Sequence, residues 1–479
     1  MTAGPGQGVS ESRATMEADF TEEVVPLGHR RSNFRMLATF MSMQVVFGAV
    51  LVGYGARFGG LTFGELVIAM AIAATAMTLY CIGSANVGAY AGQTHAVTTR
   101  SVFGTLGSLV VSALLILDGM GFYLFTVLFI VTIITALLGT LPAIEIITAV
   151  LAFVMIVNNY FGFTGLQRFA QYVAVPVIIV WGIYATVRAV TTVSAATLAA
   201  VPQTDHPSTI LLTATAMVGL STWGNEPDIF RYSKPGRASW WNIPTLAISY
   251  FLGSFIFPIM GYYVAALATD PDQSAAIKFF VDFSALGLAP LLLIILIVNQ
   301  WAIQDGNLYI AINGAQNILS RIPGYRRQFT VIGLGLIAAA FTFIAPNLTD
   351  MFTIATGIGA TTVPVASTIM AMDLFVVPRL FHLRRPIHRV ANWNELAFAN
   401  WPAVVALVIG AFVGLYTAGL IPGLSQQAIG FPAIQAWLTG AIIYLVEVAL
   451  IAGNPNARAI LGYARLEEAS IAESGAVPA

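Results

Sequence analysis

VVFGAVLVGYGARFGG at residues 45–60 and MVGLSTWGNEPD at residues 217–228 are two apolar stretches that are interrupted in the same way. The first carries glycines from Gly48 onward, and the second carries Gly219 and ends near Pro227. Glycine weakens a helix, and proline removes a backbone donor. Inside a bilayer, backbone groups freed in this way are tolerated only where they are buried or line a cavity. Two interrupted helices at matching positions of a chain therefore predict a binding site near the middle of the membrane.

The composition indicates a chain surrounded by lipid. Its 479 residues are 58% hydrophobic and 9% charged, with a mean hydropathy of +0.82. A soluble domain carries about a quarter charged residues, and a net charge of −1 offers no basic surface for nucleic acid. A helix needs about 20 mainly apolar residues to cross the hydrocarbon. This rule predicts about 12 spans, numbered one to twelve: 34–56, 63–86, 106–136, 143–161, 170–190, 208–227, 240–267, 286–313, 329–345, 349–377, 399–420 and 432–452.

The spans fall into two groups of five and a final pair. Residues 34–190 hold spans one to five, residues 208–377 hold spans six to ten, and residues 399–452 hold the last two. Because five is an odd number, the second group enters the membrane from the opposite side, which is the geometry of an inverted repeat. The predicted fold class is an all-α integral membrane protein with two inverted five-helix repeats and two extra helices.

The distribution of basic residues predicts the orientation. If both termini are cytoplasmic, all but three of the 21 Lys and Arg residues lie on the cytoplasmic side, as is usual for membrane proteins. The exceptions are Arg57, Arg188 and Lys278. We therefore predict a multi-pass protein of the plasma (inner) membrane with cytoplasmic tails at 1–33 and 453–479. The first tail is polar and is predicted to be mostly disordered up to about Pro26.

No signature of catalysis is present in the sequence. The chain has no P-loop, HExxH or GxSxG motif, and its single cysteine, Cys81, allows no internal disulfide and no cysteine metal cluster. We predict that the protein is not an enzyme and that it holds no metal site and no cofactor other than a coupling ion. A channel would need a ring of repeated filter residues, and the sequence has none. The sequence leaves the oligomeric state open.

Polar residues within the spans are candidates for the binding site, because they are costly in hydrocarbon and usually face a cavity or a partner. Asp118 lies in span three, and Asn299, Gln304 and Asp305 lie in span eight. Side-chain amides suit the edge of a flat heterocycle, and aromatic rings near the breaks can stack on its faces. The role of Glu226, which closes span six, stays open. The predicted substrate-binding residues are Phe47, Gly48, Phe122, Gly219, Ser221, Trp223, Asn299 and Gln304.

Four segments carry a family resemblance when read in chain order. YFGFTGLQRFAQYVAVPVIIVWGIY (160–184), NEPDIFRY (225–232), NQWAIQDGNLYIAINGAQN (299–317) and NWPAVVALVIGAFVG (400–414) resemble motifs of the nucleobase:cation symporter-1 family, which includes the cytosine permeases. The resemblance runs from about residue 30 to residue 452.

The resemblance implies the leucine-transporter fold, with substrate bound between spans one, three, six and eight. By the same resemblance, Phe47 matches the span-one aromatic beside the unwound stretch, and Phe122 matches a span-three Trp that stacks on the base. Asn299 and Gln304 match two span-eight Asn positions that bond the substrate. The span-six aromatic wall of the family falls near Gly219, which has no side chain, and Trp223 lies one turn later.

The coupling ion is predicted from what the spans lack. The positions of a hydroxyl pair in sodium-coupled members of the family are taken here by Ala302 and Ile303, whose side chains cannot ligate a hard cation that prefers oxygen. Asp118 and Asp305 are therefore the candidates for proton coupling, with sodium as the alternative.

The sequence thus favours a secondary transporter that imports a nucleobase or a related heterocycle, such as a purine, cytosine, allantoin, a hydantoin or a vitamin precursor, by alternating access. An amino-acid or amine transporter on the same fold is the alternative. A channel or a non-transporting receptor is a third class.

Overall fold

A computed structural model describes residues 19–139, 141–205, 208–221, 224, 226–344, 348–387, 389–424, 429–463 and 465–466, without the side chains of 273 and 348–354. Within these ranges, helices occupy the positions of all twelve predicted spans. Seven of them are long and apolar enough to cross a membrane. Their bounds are Phe63–Ala91, His95–Leu138, Gly162–Thr192, Gly236–Ala265, Ala289–Leu319, Ala355–Leu380 and Pro432–Ala452.

The other five predicted spans are broken or short. Span one is a bent pair, Asn33–Gln44 and Phe47–Phe58, whose axes differ by 45°. Four shorter apolar helices match spans four, six, nine and eleven, namely Ile144–Tyr160, Ile210–Ser221, Arg327–Phe341 and Trp401–Thr417. Span ten begins with helix Leu348–Thr361, and its part that is long and apolar enough to cross a membrane runs from Ala355 to Leu380. We keep the numbering of the spans for these helices.

Short helices lie between the spans. Helix Glu226–Phe230 follows span six, and helix Gln273–Ser284 lies between spans seven and eight, outside the predicted spans. Asp272 begins the second of these helices, because its carboxylate accepts hydrogen bonds from the backbone N–H groups of Ser274 and Ala275. Further short helices are Leu27–His29, Ala195–Ala199, Trp393–Glu395 and Ala457–Ile460.

The sequence explains where spans two and three begin. Thr62 and Glu65 form a reciprocal capping box at the start of span two. Span three begins at Thr94, whose hydroxyl accepts from Val97 N, and it changes direction at Gly104, which has φ 74°. A side chain would be strained at this φ. The predicted start of span three at residue 106 therefore corresponds to the regular part of the helix beyond this kink.

Close packing pairs span one with span seven, and span three with span eight. A Cβ at Gly53 would collide with the backbone of Pro258, and one at Gly261 with the backbone of Val50. In the same way, a Cβ at Gly119 would lie 2.5 Å from the carbonyl oxygen of Asn307. Backbones approach this closely only where the side chain is missing. Each of the two pairs therefore packs as one rigid unit.

Both ends of the described chain are folded onto the bundle. From Asp19 onward the N-terminal segment contacts the spans, so the predicted disorder up to Pro26 does not extend over residues 19–26. The segment after span twelve also packs inward, because Tyr463 OH donates to Asp373 Oδ1 at 3.0 Å. Asp373 lies on span ten and pairs with Arg385, with 2.6 Å between Arg385 Nε and Asp373 Oδ2. Arg385 also donates to the carbonyl oxygen of Ser101, and Glu22 pairs with the neighbouring Arg100, so the two ends of the described chain lie at the same end of the bundle.

Candidate functional site

The break in span one is held by a side chain of span eight. The first helix ends at Gln44 and the second begins at Phe47, with Val46 extended between them. Phe47 N donates to Asn299 Oδ1 at 2.8 Å, and Asn299 Nδ2 donates to Val45 O at 2.7 Å. Both partners are backbone groups that the break has freed from helical bonding. Asn299 is predicted to bond the substrate, but both atoms of its amide form hydrogen bonds with the backbone of span one.

The two predicted glycines lie close to the breaks but not at them. Gly48 is the second residue of the helix that follows the span-one break, and Gly219 lies inside the helix Ile210–Ser221. The site of Gly48 is filled from span six, since a Cβ there would lie 3.4 Å from Leu220 Cδ2. A Cβ on Gly219 would lie 3.2 Å from Thr356 Cβ on span ten. Gly48 therefore faces span six, and Gly219 faces span ten.

A small cavity lies between spans one, three, six and eight. Its volume is about 10 Å³, which is about the room that one water molecule needs. Three of the residues that line it carry polar atoms or leave space, namely Gly48, Thr126 and Gln300, and the rest are apolar or aromatic. The full lining is Val46, Gly48, Phe122, Phe125, Thr126, Phe129, Leu220, Gln300 and Ile303.

Gly48 and Phe122 are the predicted site residues that line this cavity. Phe47 is fully buried, and its ring packs against Phe129, Trp181 and Phe280 at centroid distances of 6.3, 6.0 and 5.3 Å. Its stacking role stays a prediction, because the ring is engaged by other aromatic residues.

Ser221, a further predicted residue, does not line the cavity. Ser221 Oγ lies 3.1 Å from Ser254 Oγ on span seven. Trp223 lies outside the described residues.

Gln304 and Asp118 are buried polar residues near the centre of the bundle. Neither amide atom of Gln304 and neither carboxylate oxygen of Asp118 has a hydrogen-bond partner among the residues that the structure describes. Asp118 faces span ten, where a Cβ at Gly359 would collide with its carboxylate and lie 2.9 Å from Phe122 Cε2. Buried polar groups in native proteins almost always have partners. Both side chains are therefore candidates for contacts that form only with a ligand, an ion or a proton.

Asp305 has a different environment from Asp118. Its Oδ2 accepts from Asn158 Nδ2 at 2.8 Å, and its backbone oxygen accepts from Asn159 Nδ2 at 3.1 Å. These bonds tie span eight to the end of span four. The geometry thus gives Asp305 a structural contact, and its predicted part in proton coupling stays a prediction.

Glu226 lies in a cluster of neutral donors from span two. Ser84 Oγ donates to its carboxylate at 2.9 Å, and the Tyr80 hydroxyl and the Cys81 thiol lie 3.4 Å from it. Cys81 Sγ in turn lies 3.0 Å from Tyr250 OH. The lone cysteine is therefore a buried packing and bonding residue, as its position in an apolar segment indicates.

A second polar cluster surrounds Asp228, in the segment that follows the span-six break. Asp228 Oδ1 accepts from His95 N at 3.1 Å and from Asn313 Nδ2 at 2.8 Å. The ring of His95 is fully buried, and its Nδ1 bonds the carbonyl oxygen of Gly224 at 2.8 Å. This carbonyl can only accept, so Nδ1 carries the proton. The cluster joins spans three and eight to the chain that follows the break.

Residues 19–25, which we call the N-terminal strap, cross the end of the bundle where the chain begins. Asp19 Oδ1 accepts from Tyr232 OH at 2.7 Å and from Phe163 N at 3.0 Å, and Arg327 Nη2 lies 3.5 Å from Asp19 Oδ2. Arg231 Nη2 donates to Asp19 O at 2.8 Å. The strap thus bonds to spans five and nine and to the chain beyond span six.

Glu22 continues the strap toward span three. Its carboxylate lies 3.0 Å from Arg100 Nη2, and Arg100 Nε also donates to Asn317 Oδ1 at 2.6 Å. Burial raises the pKa of Glu22, although the positive charge of Arg100 acts in the opposite direction. Through Arg100 and Asn317 the strap also reaches span eight.

A comparison with known families decides what this architecture belongs to. A family model described as "Permease for cytosine/purines, uracil, thiamine, allantoin" matches residues 25–446. The chain belongs to this permease family. The chain is also 24% identical over 437 residues to cytosine permease of Escherichia coli strain K12, an alignment that covers 90% of this chain and 94% of the relative. The predicted resemblance is confirmed, and the protein is a multi-pass membrane transporter and not an enzyme.

Solved structures show the fold of this permease. Mhp1, a nucleobase-cation-symport-1 family transporter solved in a closed conformation with bromovinylhydantoin bound, is 17% identical with a TM-score of 0.68, covering 89% of this chain and 93% of Mhp1. A Na⁺-coupled sialic acid symporter in an outward-open state is 12% identical with a TM-score of 0.65, covering 92% of this chain and 94% of the symporter. The fold of the permease is therefore the leucine-transporter type, as predicted.

Sequence reasoning missed the lining residue Gln300 of this permease. Gln300 directly follows Asn299, and it lies one turn before Gln304 on the same face of span eight. The signal that could have found it is this spacing, since Gln300 and Gln304 can both face span three. His95 was also missed, because it lies in the connection between predicted spans two and three, where a histidine is expected to be solvated.

Proposed function

We propose that this permease imports a nucleobase or a related nitrogen heterocycle by alternating access. The observation that carries the proposal is the cavity between spans one, three, six and eight, whose lining combines the rings of Phe122, Phe125 and Phe129 with the side chain of Gln300. Aromatic faces suit a flat ring and an amide suits its polar edge. The family description and the hydantoin bound to Mhp1 support the same class of ligand.

The alternating-access part of the proposal is supported by the rigid packing of the spans. Spans one and seven interlock through Gly53 and Gly261, whereas spans three and eight interlock through Gly119. A bundle of spans one, two, six and seven can rock as a unit against spans three, four, eight and nine. The cavity of about 10 Å³ is too small for a heterocycle, which fits a closed conformation. Mhp1 has been solved in closed and in inward-facing conformations.

Proton coupling at Asp118 is the ion preference that the site supports. Ala302 and Ile303 place no side-chain oxygen beside the span-one break. Asp118 is buried beside the cavity residue Phe122, and its carboxylate has no hydrogen bond to the described part of the chain. A carboxyl group in this setting can take up and release a proton without breaking a bond to a partner. Sodium remains the competing ion in the test below.

An amino-acid substrate is less well supported by the same geometry. The N-terminus of a helix offers free N–H groups to a carboxylate, and such a site would lie at the span-one break. Here Phe47 N already donates to Asn299 Oδ1 at 2.8 Å. A substrate carboxylate would have to displace the Asn299 amide from this backbone donor.

The placement in the cell forms part of the proposal. We place the permease in the plasma (inner) membrane with both termini cytoplasmic, on the distribution of Lys and Arg. We place the inverted repeats at 34–190 and 208–377, with 399–452 as the two extra helices.

The test is uptake into proteoliposomes. A panel of labelled purines, pyrimidines, hydantoins, allantoin and vitamin precursors is offered under an imposed pH gradient or an imposed Na⁺ gradient, with aromatic amino acids and amines as competitors. We expect at least one heterocycle to accumulate under the pH gradient. Accumulation of an amino acid and of no heterocycle would overturn the proposed substrate class, and strict dependence on Na⁺ would overturn proton coupling.

A further inference from the structure

Glu226 is a buried carboxyl group that no step of the proposed function uses. It begins the short helix Glu226–Phe230 after the span-six break, and it is fully buried. Its side-chain partners among the described residues all come from span two, and they are Tyr80, Cys81 and Ser84. None of them carries a positive charge. An ionised carboxylate without a cation is costly to bury, so the uptake of a proton by Glu226 would relieve this cost.

The partners of Glu226 suit both protonation states of its carboxyl group. A hydroxyl or a thiol can donate to a carboxylate, and it can also turn to accept from a carboxylic acid. Ser84 Oγ lies 2.9 Å from Glu226 Oε2, and the Tyr80 hydroxyl lies 3.4 Å from the same oxygen. Cys81 Sγ lies 3.4 Å from Oε1. A proton can therefore come and go while only hydrogen atoms rotate.

The other hydrogen-bonded carboxylates that are buried in the described ranges lack this freedom. Asp228 Oδ1 accepts from a backbone N–H and from an amide NH₂, and Asp305 Oδ2 accepts from an amide NH₂. These groups can only donate. A proton on the second oxygen of either residue would have no acceptor among the described residues. Asp19 and Asp373 each pair with an arginine, which favours the ionised form.

We propose that Glu226 is a proton-binding site of this permease, separate from Asp118. Ionisable residues at membrane depth commonly belong to proton pathways, and here the proton is the ligand that the hydrogen bonds are arranged to hold. The site goes beyond the proposed function, because it binds a proton whichever substrate is carried.

The two oxygens of the carboxyl group have different parts in binding the proton. Oε2 has two hydroxyl groups beside it, whereas Oε1 has only the weaker thiol donor among the described residues. Oε1 is therefore the oxygen that takes up the proton. Its new O–H donates to Cys81 Sγ, and the S–H turns toward Tyr250 OH on span seven, 3.0 Å away. The carboxylate loses its negative charge, and no other covalent bond forms or breaks.

The position of Glu226 links this proton to movement of the spans. Its partners lie on span two and, through Cys81, on span seven, in the group of spans proposed to rock. The titratable groups whose charge interacts with that of Glu226 are Tyr80, Cys81, Tyr250 and Asp118. Asp118 lies on span three, in the opposite group. When Asp118 is ionised, a charged Glu226 repels it, and a proton on Glu226 removes this repulsion between the two groups.

Infrared difference spectra of the purified permease test the site without any substrate. Protonation is read as a carboxylic-acid C=O band that grows when the pH is lowered. We expect Glu226→Gln to lose one such band of the wild type. Asp228→Asn is the matched control and should keep this band, and Asp118→Asn should keep it as well. If every pH-dependent band of the wild type remains in Glu226→Gln, the proposal is overturned.

Ser84→Ala is a second test, which keeps Glu226 and removes its nearest donor. The ionised form loses more than the protonated form, because hydrogen bonds to charged groups are the stronger ones. The midpoint of the Glu226 band should therefore move to higher pH by about one unit. Thr78→Ala is the control on the same helix, since its hydroxyl donates to Ala74 O, and it should leave the midpoint unchanged. A midpoint that does not move in Ser84→Ala would overturn the site even if Glu226→Gln does not fold.

Failure of this site and failure of the proposed function give different results. If no heterocycle is taken up but the Glu226 band titrates, only the proposed function fails. If a heterocycle accumulates but no band depends on Glu226, only the proton-binding site fails.

Discussion

Asp19 and Asp118 are two buried carboxylates in contrasting regions of the permease. Asp19, in the strap, accepts from Tyr232 and Phe163 and lies near the guanidinium of Arg327. Asp118, in the centre, has no hydrogen bond to any residue in the described ranges. Removing a paired carboxylate destabilises the structure, because its positive partner is left as an uncompensated buried charge. An unpaired one contributes little to stability and is free to exchange a proton. The comparison indicates that the carboxylate at the end of the bundle holds segments together, whereas the one in the centre has no such contact among the described residues.

The largest expected effect is on coupling, and it belongs to the centre. Asp118→Asn keeps the shape of the side chain and removes its ability to carry a proton. We expect concentrative uptake under a pH gradient to be abolished while exchange of labelled for unlabelled substrate remains measurable. Uptake driven by the proton gradient in this variant would contradict the contrast between the two carboxylates. The measurement is uptake and exchange in the same proteoliposome preparation.

The next effect is on stability, and it belongs to the strap. Asp19→Ala leaves Arg231 and Arg327 without their nearest carboxylate, and we expect a loss of about 3 kcal/mol, typical of a broken buried ion pair. Thermal unfolding of the purified protein in detergent measures it as a lower midpoint. The matched control is Glu23→Ala, an exposed residue of the same strap, which should change stability by about 0.5 kcal/mol or less. Equal midpoints for the two variants would show that the strap does not stabilise the bundle.

A smaller effect tests the surroundings of Asp118. In Gly359→Ala the new methyl group would collide with the Asp118 carboxylate and press on Phe122, and we expect a cost of about 1–3 kcal/mol from overpacking. The control is Gly333→Ala on span nine, where a Cβ would meet nothing within 4 Å. That change should be neutral or slightly stabilising. If both variants unfold at the same temperature, Asp118 is not packed against span ten.

The smallest perturbation tests which end of the bundle faces the cytoplasm. Cysteines introduced one at a time at Asp205 and Asp272 should react with a membrane-impermeant reagent added from outside, and those at Gly324 and Pro386 should not. The native Cys81 is fully buried, so its background labelling should be low. The reverse pattern would place the strap on the external side.

Hydropathy and glycine content predict the fold well, because they are properties of single segments. Helices lie at the positions of all twelve predicted spans, which were inferred from the length of apolar runs, and the glycines of span one indicated that this span is broken. The break itself lies at Val45 and Val46, before Gly48. Its position is set by hydrogen bonds to Asn299, 252 residues away from Phe47 in the chain. A contact of this range leaves no local signal.

The candidate site was only partly predictable for the same reason. Successive residues of a helix point about 100° apart, so whether Asn299 or Gln300 faces the cavity depends on how span eight is rotated against spans one and three. No composition or period reports that rotation. The strap was missed for a related reason. Its polar residues predict disorder, and only the arginines and tyrosines of distant segments give them buried partners.

The ring of Phe47 has one more consequence, which concerns how binding could be observed. Phe47 begins the helix after the break, and its ring packs edge-on against Phe280 at 5.3 Å. Phe280 belongs to helix Gln273–Ser284, where Lys278 is exposed at the surface. A fluorophore attached at position 278 would therefore sit on the helix whose Phe280 contacts the start of the helix after the break. Occupancy of the interior could then be read as a change in light emission from outside the protein, without following the substrate itself.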